Sequence, residues 1–385
     1  MKRRTFLAGA TAWGLGLVSR PGRTADDLGY SAPPRFTRPE TSGEEGGLWA
    51  LMDREERNLR RSPLIVRDGD LQSYVQDIAC RLGSDHCPDI RVTLVRTPLF
   101  NASMAPNGMM QVWTGLLLRV ENEAQLAAVL GHEIGHYLQK HSVERLRDIK
   151  SKSAIGQVFG LFGLAGAVGQ LAVAASAYAY GRQHETEADR IGAQLMHRAG
   201  YQVGEAAKIW SNLLAESQAA EGKGANGSLL FATHPAPPER RAMLEDIARS
   251  LPDGVTGEEA FGRHVQRYLD EWLNDEIKRG QYAESLVLTT RHIARKFALE
   301  TMHYHRGEIY RLRGRDGDLD LALGDYRNAI ENDKPYPLAL RGIGLIQRQR
   351  GQRKEAIEML SRYLELAPAA PDALFIQSYI AELNS

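Results

Sequence analysis

The chain has 385 residues, of which 48 are lysine or arginine and 48 are aspartate or glutamate, so its formal net charge at pH 7 is +0. This balance gives no electrostatic reason to expect nucleic acid or an anionic surface as a partner. A content of 43% hydrophobic and 25% charged residues is typical of a soluble globular protein, and the length allows two or three domains.

The first 25 residues have the layout of an export signal. Basic residues at positions 2–4 precede an apolar run over 6–18, which is too short to span a membrane comfortably. The pair Arg3-Arg4 resembles the start of a twin-arginine signal, which exports folded proteins, so we expect a periplasmic protein. Two alternatives remain open, namely cleavage after Ala25 and retention as an uncleaved N-terminal anchor.

The segment after the signal predicts a linker followed by mixed secondary structure. Residues 26–47 are rich in proline, glycine, arginine and glutamate, a composition that predicts the linker. Periodicity and turn residues predict the next elements, which are helices over 48–60 and 71–83, a strand over 89–98 and a β-hairpin over 99–115 with Asn107-Gly108 at its turn.

The chain contains two cysteines, Cys80 and Cys87. Their spacing is not a zinc-binding pattern. In an exported protein they are compatible with a short-loop disulfide, and two unpaired thiols are the alternative.

Residues 122–149 read as one long helix that contains a metal-binding signature. His132 and His136 lie four residues apart and therefore on one helix face, where two imidazoles can bind one zinc ion. Glu133 stands between them, where a carboxylate can take the proton of a water activated by zinc. This HExxH pattern alone has false positives, but small residues around it, such as Gly131, allow close packing next to a metal.

Such a site needs a third protein ligand, and Glu185 in the next predicted helix, over 184–200, is the best candidate. An extension of the first helix with further glycine and histidine ligand positions fails, because Gln139 and Ser142 stand there. Asp189 lies one turn beyond Glu185, where it can accept a hydrogen bond from a zinc-bound histidine and fix its tautomer. Without the upstream signature, this acidic stretch would indicate only a solvated helix face.

Four motifs of the chain occur in a characteristic order, namely NASMAPNGMMQVWTGLL, LAAVLGHEIGHYLQKH, ETEAD and THPAPPER. Together they resemble zinc metallopeptidases of the BepA, HtpX and CAAX-protease type, which are gluzincins with an ExxxD third-ligand motif. The resemblance covers residues 48–251 and implies an α+β, mainly helical domain with a small β-hairpin sheet. It implies one Zn²⁺ per chain and a site made of His132, His136 and Glu185 as ligands and Glu133 as catalytic base.

The resemblance also implies roles for residues outside this helix pair. Asn101, Ala102 and Ser103 in the hairpin would offer a strand edge to an extended substrate. His234 would occupy a fourth position on zinc, and the alternative is a histidine at the start of a helix that stays off the metal. His141 follows His136 by five residues, so we expect it to point away from the metal and to have a structural role.

Residues 153–181 contain no charged residue and separate the two halves of the expected site. One membrane crossing would place the halves on opposite sides, and two crossings would need about 20 residues each, so neither fits. A helical hairpin is therefore expected, either buried or projecting as an apolar flap. The resemblance to BepA-like proteins favours a flap that contacts the membrane peripherally.

A composition change at 252–259 predicts a domain boundary, and residues 258–385 read as helices with an internal repeat. Small residues recur at Ala322 and Ala356, 34 positions apart, and large residues recur with the same period. This pattern resembles the tetratricopeptide repeat, whose stacked helix pairs form a solenoid with a groove for peptide or protein. An unrelated helical bundle is the alternative.

The combination of export signal, peptidase motifs and helical repeats resembles the BepA-like (YfgC-like) branch. It predicts a zinc endopeptidase of the cell envelope whose substrates are unfolded or misassembled envelope proteins. The repeat groove would bind these clients or the outer-membrane assembly machinery. The alternative is a chaperone or assembly factor whose zinc site is blocked by its own histidine.

Overall fold

The computed structural model describes residues 30–148, 181–220, 234, 238–331 and 336–385. The predicted export signal, the glycine-rich loop before His234 and all but the last residue of the charge-free stretch 153–181 lie outside these residues. Among the described residues, no helix is long and apolar enough to cross a membrane.

The first part of the chain combines two helices with a small sheet. Helices α1 (Glu44–Arg60) and α2 (Gly69–Gly83) precede strands β1 (Arg91–Val95), β2 (Ala102–Met104) and β3 (Met109–Trp113). The sheet order is β1-β3-β2, with β1 parallel and β2 antiparallel to β3. This arrangement confirms the predicted strand and hairpin.

The turn of the hairpin lies at the predicted Asn107-Gly108 pair. Gly108 has a φ of 86°, in the left-handed region that glycine adopts without strain. A Cβ atom at this position would stand 2.0 Å from the carbonyl oxygen of Asp89, so both backbone conformation and space require glycine. The turn leaves β2 at one edge of the described sheet.

Two helices replace the single long helix that the sequence predicts over 122–149. After the short α3 (Thr114–Arg119), helix α4 runs over Glu123–Leu138 and α5 over His141–Asp148. The prediction was wrong because the chain turns at Lys140, whose φ of 55° is left-handed and ends the α-helical path. The helical spacing of apolar residues continues past Lys140, so the sequence pattern does not indicate the break between α4 and α5.

Helix α4 packs directly against α6 (Arg182–Arg198), which carries the second half of the site. A Cβ atom on Gly192 would lie 2.9 Å from the backbone nitrogen of His132, and one on Gly135 would lie 2.9 Å from the Ala188 carbonyl oxygen. The small residues thus allow the two helix backbones to approach closely. Helices α7 (Gly204–Ala219) and α8 (Pro238–Arg249) complete this layer.

The predicted linker is packed against the domain in its described part. Helix α1 begins at Glu44, inside the stretch predicted as linker. The Arg35 side chain donates two hydrogen bonds to Asp89, and Phe36 packs edge-on against Tyr137 at the end of α4. Cys80 and Cys87 form a disulfide that closes the loop after α2.

The C-terminal region consists of helices, as predicted. They are α9 (Glu258–Val265), α10 (Leu269–Lys278), α11 (Tyr282–Ala294), α12 (Leu299–Arg313), α13 (Asp318–Ile330), α14 (Pro337–Gln349), α15 (Arg353–Leu366) and α16 (Ala373–Asn384). Within the hairpin α12–α13, a Cβ atom on Gly307 would lie 2.6 Å from the Tyr326 ring, and within α14–α15 one on Gly344 would lie 2.6 Å from Leu360. The two hairpins therefore use the same small-against-large contact.

The composition change at 252–259 does not separate two hydrophobic cores. Phe261, Trp272 and Leu288 belong to the same buried cluster as Leu94 on β1 and Ile134 on α4. The connecting segment is also tied down by its backbone, since the Thr256 carbonyl accepts a hydrogen bond from the Ala124 amide at the start of α4. The first C-terminal helices thus support the helix that carries the HExxH signature.

Candidate metal centre

The two histidines of the HExxH signature face the same buried space. Both lie on α4, and their Nε2 atoms are 3.1 Å apart. The exposed fraction is 4% for His132 and 1% for His136. Two imidazole nitrogens so close together and so well buried require a shared proton or a shared cation between them.

Glu185 and His234 complete a cluster of four. On α6, Glu185 is fully buried and places its Oε1 atom 3.4 Å from the Nε2 atom of His136. His234 precedes α8 and places its Nδ1 atom 3.2 Å from His132 Nε2 and 2.9 Å from Glu185 Oε1. The structure thus brings together all three predicted ligands and the predicted fourth one.

The cluster fits a zinc ion. One ligand atom from each of the four residues lies within 4.8 Å of those of the other three. Tetrahedral zinc, with bonds of about 2.0–2.2 Å, separates its ligand atoms by about 3.3 Å, which is close to the spacings found here. Imidazole and carboxylate are also ligands that zinc prefers.

The electrostatics of the site favour the ligand form of His136 and Glu185. Burial lowers the pKa of His136 well below its usual value, which keeps the ring neutral. For Glu185, burial alone would raise the pKa, but the surrounding His234 and His136 hold it far below its usual range. A neutral imidazole and an ionised carboxylate are the forms that bind metal.

Asp189 contacts His132 from behind, as the sequence predicts. Its Oδ1 atom lies 2.9 Å from His132 Nδ1, which leaves Nε2 for the metal. Burial alone would raise the pKa of the Asp189 carboxyl, but hydrogen bonds from Arg240 and His132 keep it below its usual value.

Arg240 on α8 is part of the site, although the sequence motifs did not single it out. Its Nε and Nη2 atoms donate to the two oxygens of Asp189 at 2.6 and 2.8 Å, and Nη1 lies 2.6 Å from Glu185 Oε2. The guanidinium also stacks over the Trp210 ring at 4.7 Å. Its position at the end of the THPAPPER motif was the signal in the sequence.

Glu133 lies between the histidine cluster and the edge of the sheet. Burial raises the pKa of its carboxyl, and the helix that carries it, α4, packs against strand β2. Its Oε1 atom lies 3.6 Å from His234 Nε2 and has no hydrogen-bond partner among the described residues. Burial therefore makes this carboxylate a stronger base than an exposed glutamate.

The three residues predicted as the substrate edge lie at or in β2. Ala102 and Ser103 pair with Val112 and Gln111 of β3, and the Asn101 carbonyl accepts a hydrogen bond from the Trp113 amide. Asn101 and Ala102 are buried, whereas Ser103 is half-buried. The structure thus places the predicted edge strand beside Glu133.

His141 lies outside the four-residue metal cluster, as predicted, but it contacts His136 from behind. Its Nδ1 atom lies 2.9 Å from the Nδ1 atom of His136. The turn at Lys140 causes this, because a continuous helix would have carried His141 to another face. Burial and the neighbouring His184 lower the pKa of His141 to about 4.

Comparisons with known proteins agree with this chemistry. Residues 66–248 match the sequence model of peptidase family M48. The chain is 25% identical over 386 aligned positions to the beta-barrel assembly-enhancing protease of Escherichia coli, a match that covers 88% of this chain and 76% of that protein. It is 34% identical over 158 positions to the mitochondrial metalloendopeptidase OMA1 of Saccharomyces cerevisiae, covering 40% of this chain and 44% of that protein.

These findings confirm the peptidase family that the sequence motifs predicted. Residues 66–248 form a zinc metallopeptidase domain of family M48, within a BepA-like chain.

Proposed function

We propose that this zinc metallopeptidase is an endopeptidase of the cell envelope that hydrolyses peptide bonds in misfolded or stalled envelope proteins. The observation that carries the proposal is that the histidine cluster lies on a helix, α4, that packs against the edge strand β2. The export signal over residues 1–25 and the likeness to a beta-barrel assembly-enhancing protease support the envelope location.

Glu133 acts as the general base in this proposal. His132, His136 and Glu185 would hold the zinc ion, which when bound would supply Lewis-acid polarisation of the substrate carbonyl and of the attacking water. Glu133 takes a proton from the water as the water oxygen bonds to the carbonyl carbon. It then gives that proton to the amide nitrogen as the carbon–nitrogen bond breaks.

The substrate binds as an extended strand beside β2. Backbone hydrogen bonds to residues 101–103 would hold it without regard to its side chains, which suits an enzyme with varied misfolded clients. Because β2 packs against α4, which carries Glu133, a peptide bound along this edge would pass close to the base.

His234 blocks the centre in the resting enzyme. In the observed arrangement its ring touches His132 and Glu185 and faces Glu133, so it occupies the space that water and substrate need. Activity requires that His234 withdraw. The four-residue cluster supports this assignment, because a ring nitrogen of His234 lies within 4.8 Å of the possible ligand atoms of His132, His136 and Glu185.

The C-terminal helices form a tetratricopeptide-type solenoid that binds clients or the outer-membrane assembly machinery. The matching glycine contacts of α12–α13 and α14–α15 support the repeat. A cavity of about 690 Å³ lies between these hairpins and is lined by charged residues, among them Arg311, Arg341 and Arg350. We assign it to the client groove.

We divide the chain into four regions, which are the export signal over 1–25, a connecting arm over 26–47, the peptidase over 48–251 and the repeats over 258–385. The charge-free residues 153–181 supply a peripheral membrane contact.

The proposal is tested by hydrolysis of casein and of an envelope client by the zinc-loaded protein. Glu133→Gln should retain zinc and lower the rate by about 10²–10⁴-fold, because it removes the base and little volume. Glu245→Gln, on the exposed face of α8, is the matched control and should leave the rate unchanged. His234→Ala should raise the rate at equal zinc content, and an unchanged rate together with an unchanged cobalt spectrum would exclude the blocking role.

The second candidate is an assembly factor that holds clients while its zinc site stays blocked. The presence of His234 in the metal cluster favours it. The same experiment separates the two, because an assembly factor predicts equal client loss with the unsubstituted protein and with Glu133→Gln.

A further inference from the structure

His141 is placed behind the ligand His136 in the way that Asp189 is placed behind His132. It is 2% exposed, and its Nδ1 atom lies 2.9 Å from His136 Nδ1. Its Nε2 atom lies 3.4 Å from Glu187 Oε2 on α6. The His184 ring stacks on its outer face at a centroid distance of 4.1 Å.

The position of the proton on each neutral ring determines which of the two histidines donates the hydrogen bond. A neutral imidazole carries one proton, and His136 must leave Nε2 unprotonated to bind metal, so its proton sits on Nδ1. Of two Nδ1 atoms at hydrogen-bond distance, one donates and the other accepts. His136 therefore donates to His141, whose own proton sits on Nε2 and faces the Glu187 carboxylate.

The backbone is built to hold His141 in this position. The left-handed turn at Lys140 brings the first residue of α5 back towards α4. The Lys140 side chain is held in turn by Glu45, at 2.8 Å, and by the Phe36 ring, at 4.7 Å. Phe36 before α1 and Glu45 in α1 thus hold the turn at Lys140, and this turn brings His141 into contact with His136.

We propose that His141 is a positioning residue, which fixes the tautomer and ring orientation of His136 and thereby strengthens zinc binding. The inference rests on the proposed role of His136 as a zinc ligand. Groups that hold metal-binding histidines in this way change metal affinity by about 10- to 100-fold when they are removed. Glu187, in the middle of the HETEAD stretch, is the outermost residue in the series of contacts that runs from His136 through His141.

Two substitutions of the same branched shape separate positioning from packing. Asn and Leu have the same number of side-chain heavy atoms, but only Asn offers an oxygen acceptor close to the place of the imidazole Nδ1 atom. His141→Leu should weaken zinc binding by about 10- to 100-fold, and His141→Asn should recover most of that loss. Both variants should lower the melting temperature of the zinc-free protein to a similar extent.

The measurement is competition for Zn²⁺ between the zinc-free full chain and a chromophoric chelator. His292→Leu is the control for loss of a buried imidazole, because His292 donates to the Leu118 carbonyl away from the centre. It should reduce stability and leave zinc affinity unchanged. Unchanged affinity in His141→Leu, or equal weakening in the Leu and Asn variants, would overturn the proposal. His136→Ala tests the ligand assignment separately, since it should abolish tight binding whatever His141 does.

Discussion

At the scale of single residues, a second residue contacts the Nδ1 atom of each histidine ligand and holds its ring. His132 is backed by Asp189 and His136 by His141, while Arg240 bridges Asp189 and Glu185. Asp189, Glu185 and Arg240 are all buried, so the positive guanidinium balances two carboxylates that water does not reach. Removing any of these outer groups should affect the metal more than the fold.

Arg240 gives the sharpest test of this principle. Arg240→Lys keeps the charge but cannot form the two parallel hydrogen bonds to Asp189 together with the contact to Glu185. We expect zinc affinity or casein hydrolysis to fall about 10- to 100-fold. The neighbouring Arg241→Lys is the control, because Arg241 is partly exposed and pairs with Glu245 on the helix surface. Equal behaviour of the two variants would refute the role of Arg240.

The sequence predicts the inner residues of the site better than the outer ones. His132, Glu133 and His136 are fixed by spacing on one helix, and this local rule needs no tertiary information. Arg240 and His141 act through contacts that depend on a distant helix and on one left-handed residue. No periodicity encodes such contacts, and this explains why they were not predicted.

At the scale of elements, the site depends on two helices packed at glycine. On α4, a Cβ atom at Gly131 would lie 3.2 Å from the Gly192 carbonyl oxygen of α6, and one at Gly135 would lie 2.9 Å from the Ala188 carbonyl oxygen. This contact sets the separation between the histidines on one helix and Glu185 on the other. The sequence predicts both helices, but it does not show where the first one breaks.

Gly192→Ala should destabilise the protein and weaken its zinc site. The added Cβ atom would lie 2.9 Å from the backbone nitrogen of His132. This backbone atom cannot move aside as the end of a flexible side chain would. We expect a loss of about 1–3 kcal/mol in the free energy of unfolding, measured by denaturant titration. Gly324→Ala in α13 is the matched control, since no described atom lies within 4 Å of the place that its Cβ atom would take. That variant should gain up to about 1 kcal/mol, and a similar loss in both would contradict the close-contact account.

At the scale of the whole molecule, the peptidase and the first C-terminal helices share one core and one buried ion network. Arg119 at the end of α3 donates to Glu216 on α7 at 2.7 Å and to Glu276 on α10 at 2.8 Å. All three side chains are buried. The domain boundary at 252–259 stays a prediction, and residues on both sides of it pack into one core, which composition does not report.

Arg119→Met should be strongly destabilising. It keeps most of the side-chain volume but removes the cation that two buried carboxylates share. Glu216 keeps Arg291 and Glu276 keeps Arg279, so the expected cost is about 3 kcal/mol. Chemical denaturation of the full chain, followed by circular dichroism, measures the loss. Arg263→Met removes an exposed pair with Glu259 and should change stability by at most about 1 kcal/mol. A similarly small effect for Arg119→Met would show that the network does not join the two regions.

The central claim is that His132 and His136 on one helix and Glu185 on another hold a single zinc ion. The most direct test is the anomalous X-ray signal of zinc in crystals of the full chain. The account predicts one zinc peak about 2.0–2.2 Å from the Nε2 atoms of His132 and His136 and from a Glu185 oxygen. A zinc peak at another place, or a Glu185 side chain turned away from the metal, would contradict it.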